Sequence, residues 1–145
     1  MHLGRSHDLD ASSAAALNNW GASLSKFARR KGRDEALPLL QESILKHRSC
    51  LTIESTNSEY ACNLADTVAE MAALLAGPDS DALYQEAYEI WNQVLQQLQG
   101  TAHLTDRCDA TVNYGNALAA HAARLSDEGN RCMGHRSMLF FPVDC

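Results

Sequence analysis

A triplet of asparagine, a large side chain and a small one occurs three times along this chain: Asn19-Trp20-Gly21, Asn63-Leu64-Ala65 and Asn113-Tyr114-Gly115. Leu17, Ala61 and Thr111 stand four residues before the small position, and Leu24, Val68 and Leu118 three after it. That spacing lies along one face of an α-helix. A glycine inside a helix costs about 1 kcal/mol relative to alanine, so a small residue recurring at one place needs a packing reason. Two closely crossing helices supply it, because a missing side chain lets the backbones approach. A second motif follows the first two copies: Glu35-Ala36 with Leu40, and Glu86-Ala87 with Trp91. The pairing predicts that Gly21 faces Ala36 and Ala65 faces Ala87, with Trp20 and Leu64 filling the space beside them.

These residues resemble the tetratricopeptide repeat (TPR), whose first helix carries W-x2-L-G-x2-Y and whose second carries A-x3-F. The matching positions are Leu17, Trp20, Gly21 and Leu24 with Ala36 and Leu40, then Ala61, Leu64, Ala65 and Val68 with Ala87 and Trp91. A third copy offers Thr111, Tyr114, Gly115 and Leu118 without a second-helix motif. The likeness covers roughly residues 14–127. The copies are 44 residues apart (from 19 to 63) and 50 (from 63 to 113), against about 34 in the family. The repeat's closing proline is missing, and longer helices would absorb the extra length.

The resemblance implies an all-α fold of antiparallel helical hairpins, stacked as a short TPR-like α-solenoid of about two and a half repeats and five helices. The helices are expected at about 11–30, 34–49, from a Thr56-x-x-Glu59 capping box to about 76, 80–99 and 102–126. Leu17, Trp20, Leu24 and Phe27 form the expected apolar face of the first. The repeat domain is placed at 1–130 and an irregular C-terminal tail at 131–145, where neither helical period nor charge pattern continues. The third repeat has no covering helix, so Tyr114, Leu118 and Leu125, with Phe140 and Phe141 of the tail, are expected to form an association surface. It would serve self-association or docking on a neighbour.

Charge and motifs exclude several functions. A formal net charge of −6 leaves nucleic-acid binding without electrostatic support, and the basic cluster at 26–33 reads as a helix C-terminus that Gly32 ends. No run is long and apolar enough to span a membrane, and the N-terminal segment lacks the apolar core of a secretory signal. Five cysteines without motif spacing fit reduced thiols inside the cell, in the cytoplasm or an organelle interior. There is no GxSxG, GxxxxGK[ST], HExxH or GxGxxG, so neither catalytic residues nor a cofactor are expected. Cys132-x-x-His135, with His103 and Cys108, is a single weak ligand pair, and no metal is assigned. A helical-bundle enzyme or metal or ligand carrier built on the scattered Cys and His residues is the alternative class.

The TPR likeness points to a non-enzymatic interaction or scaffold module, a subunit of a larger assembly included, binding a protein or peptide on the face of the first helices. A carboxylate clamp for chaperone tails is disfavoured: of Asn18, Ala22, Asn63, Asp109 and Asn113 at the aligned positions, only Asn63 matches, and Asp109 stands where the clamp has a lysine. The candidate partner-binding residues are Asn19, Glu59, Asn63, Asp66, Asp109, Asn113 and Asn116. Their amides can bond a peptide backbone and their acids favour a basic partner. The same residues can equally be read as solvated positions of the first helices.

Overall fold

The computed structural model describes the backbone of residues 2–99 and 104–139, and the side chains of 9–99 and 109–130. It holds five helices: α1 (His2–Ala28), α2 (Arg33–Ile53), α3 (Ser58–Leu74), α4 (Gly77–Gln97) and α5 (Leu104–Leu139), with no strand among the described residues. α1 packs on α2, α3 on α4, α2 on α3, and α5 on both α4 and α3; α1 also touches α3. Thus α1, α3 and α5 lie side by side as one layer, backed by α2 and α4. The expected all-α stack of antiparallel hairpins is the fold observed. Among the described residues no helix is long and apolar enough to cross a membrane.

Local chemistry sets the helix ends. Asn57 caps α3, its side-chain oxygen accepting from the Tyr60 amide at 3.1 Å, so the cap lies one residue past the predicted Thr56. Gly32 does not end α1 but caps α2 in an extended conformation. The chain enters α4 through Gly77 at φ +67, a left-handed backbone that glycine adopts without strain, and Pro78 follows in the first turn. The buried hydroxyl of Ser80, in the first turn of α4, donates to the Ala72 carbonyl at 2.7 Å, a second donor beside the Leu75 amide at the end of α3. α5 continues to Leu139, so residues 131–139 are helical rather than irregular, and 140–145 lie outside the described residues.

The two hairpins have different seams. Between α3 and α4 the interior is apolar: Val68, Ala65, Tyr84, Ala87, Trp91 and Val94 are all at most 2% exposed. Ala65 and Ala87 are both fully buried in that cluster. Between α1 and α2 the middle of the seam is small and polar, with apolar clusters at its two ends: Ala14 with Cys50, and Ala28 with Ala36 and Leu40. Ser43 donates to the Gly21 carbonyl at 2.6 Å and meets the Ser25 hydroxyl at 2.8 Å, while Ser25 reaches Thr67 of α3 at 3.3 Å. Gly21 faces His47 rather than Ala36: a Cβ built there would stand 2.8 Å from the imidazole.

The buried face of α1 is therefore Ala14, Asn18, Gly21, Ser25 and Ala28, not the larger Leu17–Trp20–Leu24–Phe27 stripe. Trp20 and Phe27 are each 50% exposed, with the Lys46 ammonium 3.7 Å from the Trp20 ring centroid and the Lys31 ammonium 4.7 Å from that of Phe27. Close helix approach selects the small face, and the bulky residues flank the crossing with their ring faces under lysine.

α5 is tied down by aromatic and polar contacts. Tyr114 stacks on Tyr88 and Trp91, with centroids 5.3 and 5.5 Å away. His121 meets the Tyr88 hydroxyl at 2.7 Å and Asp81 at 2.8 Å, both nitrogens being satisfied when Tyr88 donates to Nδ1 and Nε2–H donates to Asp81. Arg124 joins the same carboxylate and pairs with Glu128. Tyr114 is thus half-buried inside the molecule and leaves the expected association surface. Leu118 and Leu125 are exposed as expected, and Phe140 and Phe141 lie outside the described residues.

Candidate functional site

A polar depression runs over α3 between α1 and α5. α3 forms its floor because Glu59, Asn63, Asp66, Glu70 and Ala73 recur at three- and four-residue steps and share one face. One part, about 400 Å³, is walled by Tyr84, Trp91, Asp66, Asn113, Asn116 and Ala120, among others. A second part, about 200 Å³, is lined by residues that include Glu59, Asn63, Asp66, Asp109 and Asn113. A third, about 190 Å³, lies toward α1 beside Lys26, Arg29, His47 and Asn63.

Six of the seven predicted partner-binding residues are brought together here; Asn19 is not. Asn19 is exposed on α1 and lines none of these cavities. Its neighbour Asn18 is buried and accepts from the Asn63 amide at 2.9 Å. The turn of α1 that buries Gly21 also turns in the residue three before it, which is Asn18. Sequence reasoning missed Arg29 and Glu70, which pair across the α1–α3 junction, and Tyr84 and Trp91 of α4. Arg29 was legible only as part of a basic helix end, and the two aromatics only as core.

Asp66 stands at the centre of the depression, lining all three parts. One of its oxygens accepts from the Asn113 amide at 3.3 Å, while Oδ1 is buried with no hydrogen-bond partner among the described residues. Burial, and then the charge of Glu70, push its carboxyl up to about 6; Asn113 and Arg29 oppose the shift only in part. Trp91 is 1% exposed, and its indole N–H has no acceptor among the described residues. His47 is buried too, its pKa lowered by desolvation, so it is neutral at pH 7. Buried polar groups without partners are rare in folded proteins and call for an explanation.

Other reactive groups do not converge here. Burial, then Glu54 and Glu59, push the Cys50 thiol up to about 11, which keeps it protonated and unreactive at neutral pH. No three His, Cys, Asp or Glu side chains among the described residues are placed to hold a metal. Cys132, His135, His103 and Cys108 lie outside the described side chains. Comparison with protein-family models, with curated proteins and with solved structures finds no match.

Proposed function

We propose that this chain is a non-enzymatic interaction module of the TPR type, holding an extended segment of a protein partner in the depression over α3. The observation that carries the reading is the polar floor from Asn63, which Asn18 of α1 holds in place, to Asp66, Asn113 and Asn116. Side-chain amides offer both donors and acceptors, which an extended peptide backbone needs on each residue. An ionised carboxylate held in a poorly solvated cleft has a cost in stability that a bound partner can offset. Basic segments suit the site, because Glu59, Asp66, Glu70 and Asp109 outnumber Lys26 and Arg29 along it. Panning a random dodecapeptide library on the purified chain tests the reading. Selected peptides should lose binding when Asn63 and Asn113 are changed to alanine, and keep it when exposed Leu45 on the back of α2 is changed. Peptides insensitive to the groove substitutions would overturn it.

A further inference from the structure

We propose that the cavity between α3, α4 and α5 receives one lysine or arginine side chain of the bound segment, with Asp66 as counter-charge and Tyr84 and Trp91 as the wall along which its stem lies. This deepens the reading above and rests on it. Two residues that line this cavity each carry a buried polar atom with no hydrogen-bond partner among the described residues: Asp66 Oδ1, an acceptor, and Trp91 Nε1–H, a donor. A ligand that satisfies both brings a cationic donor and an acceptor together. A metal ion has no acceptor for the indole, and an acidic segment would meet Asp66 and Glu70 with like charge. A peptide carrying lysine or arginine offers an ammonium or guanidinium and a main-chain carbonyl in one molecule.

Among the described residues no cation pairs with Asp66: Arg29 lines the cavity but is engaged with Glu70, and the hydrogen bond Asp66 accepts comes from the Asn113 amide. Ala69, Ala73, Ala117 and Ala120 complete the lining and leave room for an aliphatic stem while the charge reaches the carboxylate. Occupancy also depends on protonation. Asp66 faces Glu70 on its own helix, Arg29 and Lys26 of α1, His47 of α2, Asn113 of α5 and the aromatic wall of α4, with Glu59 and Asp109 toward the far end of the groove. A cation binds the ionised form, so affinity falls as pH drops through about 6.

Dodecapeptides selected from the random library on the full chain serve as probes. Groove-binding peptides should share one lysine or arginine. Its replacement by norleucine should weaken binding to the wild type by roughly thirtyfold, but by less than about twofold to Asp66→Asn. Wild-type affinity should fall below pH 6 while that of Asp66→Asn does not, which separates Asp66 from His47. Asn116→Lys, which tethers a cation at the cavity, should weaken the same peptides by roughly tenfold and gives a second variant independent of the first. Groove binders without a basic residue, or an equal norleucine effect on both proteins, overturn the cation cavity and leave the groove reading standing. No groove binders at all overturns both.

Discussion

The α1–α2 and α3–α4 hairpins share one architecture and fill it with opposite materials. At the crossing of the first, Gly21 lies under His47, and Ser25 and Ser43 share a hydroxyl pair. In the second, Ala65 and Ala87 are buried with Val68, Tyr84 and Trp91 in an apolar core. A small residue at the crossing fixes how near two helices come. It does not fix whether polar or apolar groups fill the remaining space. The two tryptophans show the consequence, since Trp91 is 1% exposed and Trp20 is 50% exposed. α5 extends the series: Gly115 repeats Gly21, yet a Cβ there would meet nothing within 4 Å.

The largest expected effect breaks the comparison at the tryptophans. Trp91→Ala should destabilise by about 3–5 kcal/mol, because it empties the centre of the apolar seam. Trp20→Ala should cost less than about 1 kcal/mol, most of it the cation–π contact with Lys46. Urea midpoints at unchanged slope measure both. Equal losses would mean that Trp20 is buried and that the assignment of the α1 face is wrong.

Next in size is the glycine pair. Gly21→Leu should destabilise by about 3 kcal/mol, since even a Cβ stands 2.8 Å from the His47 ring and a longer side chain must displace α2. Gly115→Leu should leave the unfolding midpoint unchanged or slightly raised. A similar loss at both positions would show that another helix covers α5 in solution.

Why one face of α1 was misread and the floor of α3 was not has a physical cause. On α3 the polar residues at 59, 63, 66 and 70 and the buried ones at 64, 65, 68 and 72 lie on separate faces, so periodicity assigns both. On α1 two stripes fit a helical period equally: Leu17–Trp20–Leu24–Phe27, and Ala14–Asn18–Gly21–Ser25–Ala28. Hydropathy favours the first, and close packing against α2 selects the second. That choice also moved the inward asparagine from Asn19 to Asn18. The number of helices and their pairing were legible because the motif recurs. The unpartnered state of Asp66 Oδ1 and Trp91 Nε1 was not, since both depend on where α4 and α5 meet over α3. The continuation of α5 to Leu139 was hidden by glycines and by the absence of a clear apolar period after residue 130.

A smaller, opposite effect is expected at the junction of the two hairpins. Asp66 has its pKa raised from 3.8 to about 6, so its ionisation weakens the folded state at neutral pH. The shift corresponds to roughly 3 kcal/mol, which the partial exposure of Asp66 reduces, so Asp66→Asn should stabilise by about 2 kcal/mol at pH 7. The sign fixes the pH window. Above about pH 6 both folded and unfolded Asp66 are ionised and the gain is complete. It shrinks as pH falls toward 3.8 and vanishes below, where the carboxyl is neutral in both states. His47 acts the other way: its lowered pKa makes the folded state lose stability as pH falls through 6.5. The variant-minus-wild-type difference cancels that contribution. A gain independent of pH would show that Asp66 is not held above its ordinary value.

The smallest effect tests the open end of the series. Gly115 lies in the interior of α5, exposed, with nothing near its Cα that a methyl group would touch. Gly115→Ala should therefore recover most of the helix-propensity difference, raising stability by somewhat less than 1 kcal/mol. At Gly21 the same substitution should lower stability, because the Cβ–imidazole clash outweighs the propensity gain. The measurement is the thermal midpoint of both variants at dilute and at concentrated protein. If Gly115→Ala stabilises equally at both concentrations, the face carrying Val112, Leu118 and Leu125 is bare in solution. If the gain turns to a loss at high concentration, a second copy packs its helix at Gly115 as α2 does at Gly21, and the third repeat is completed between molecules.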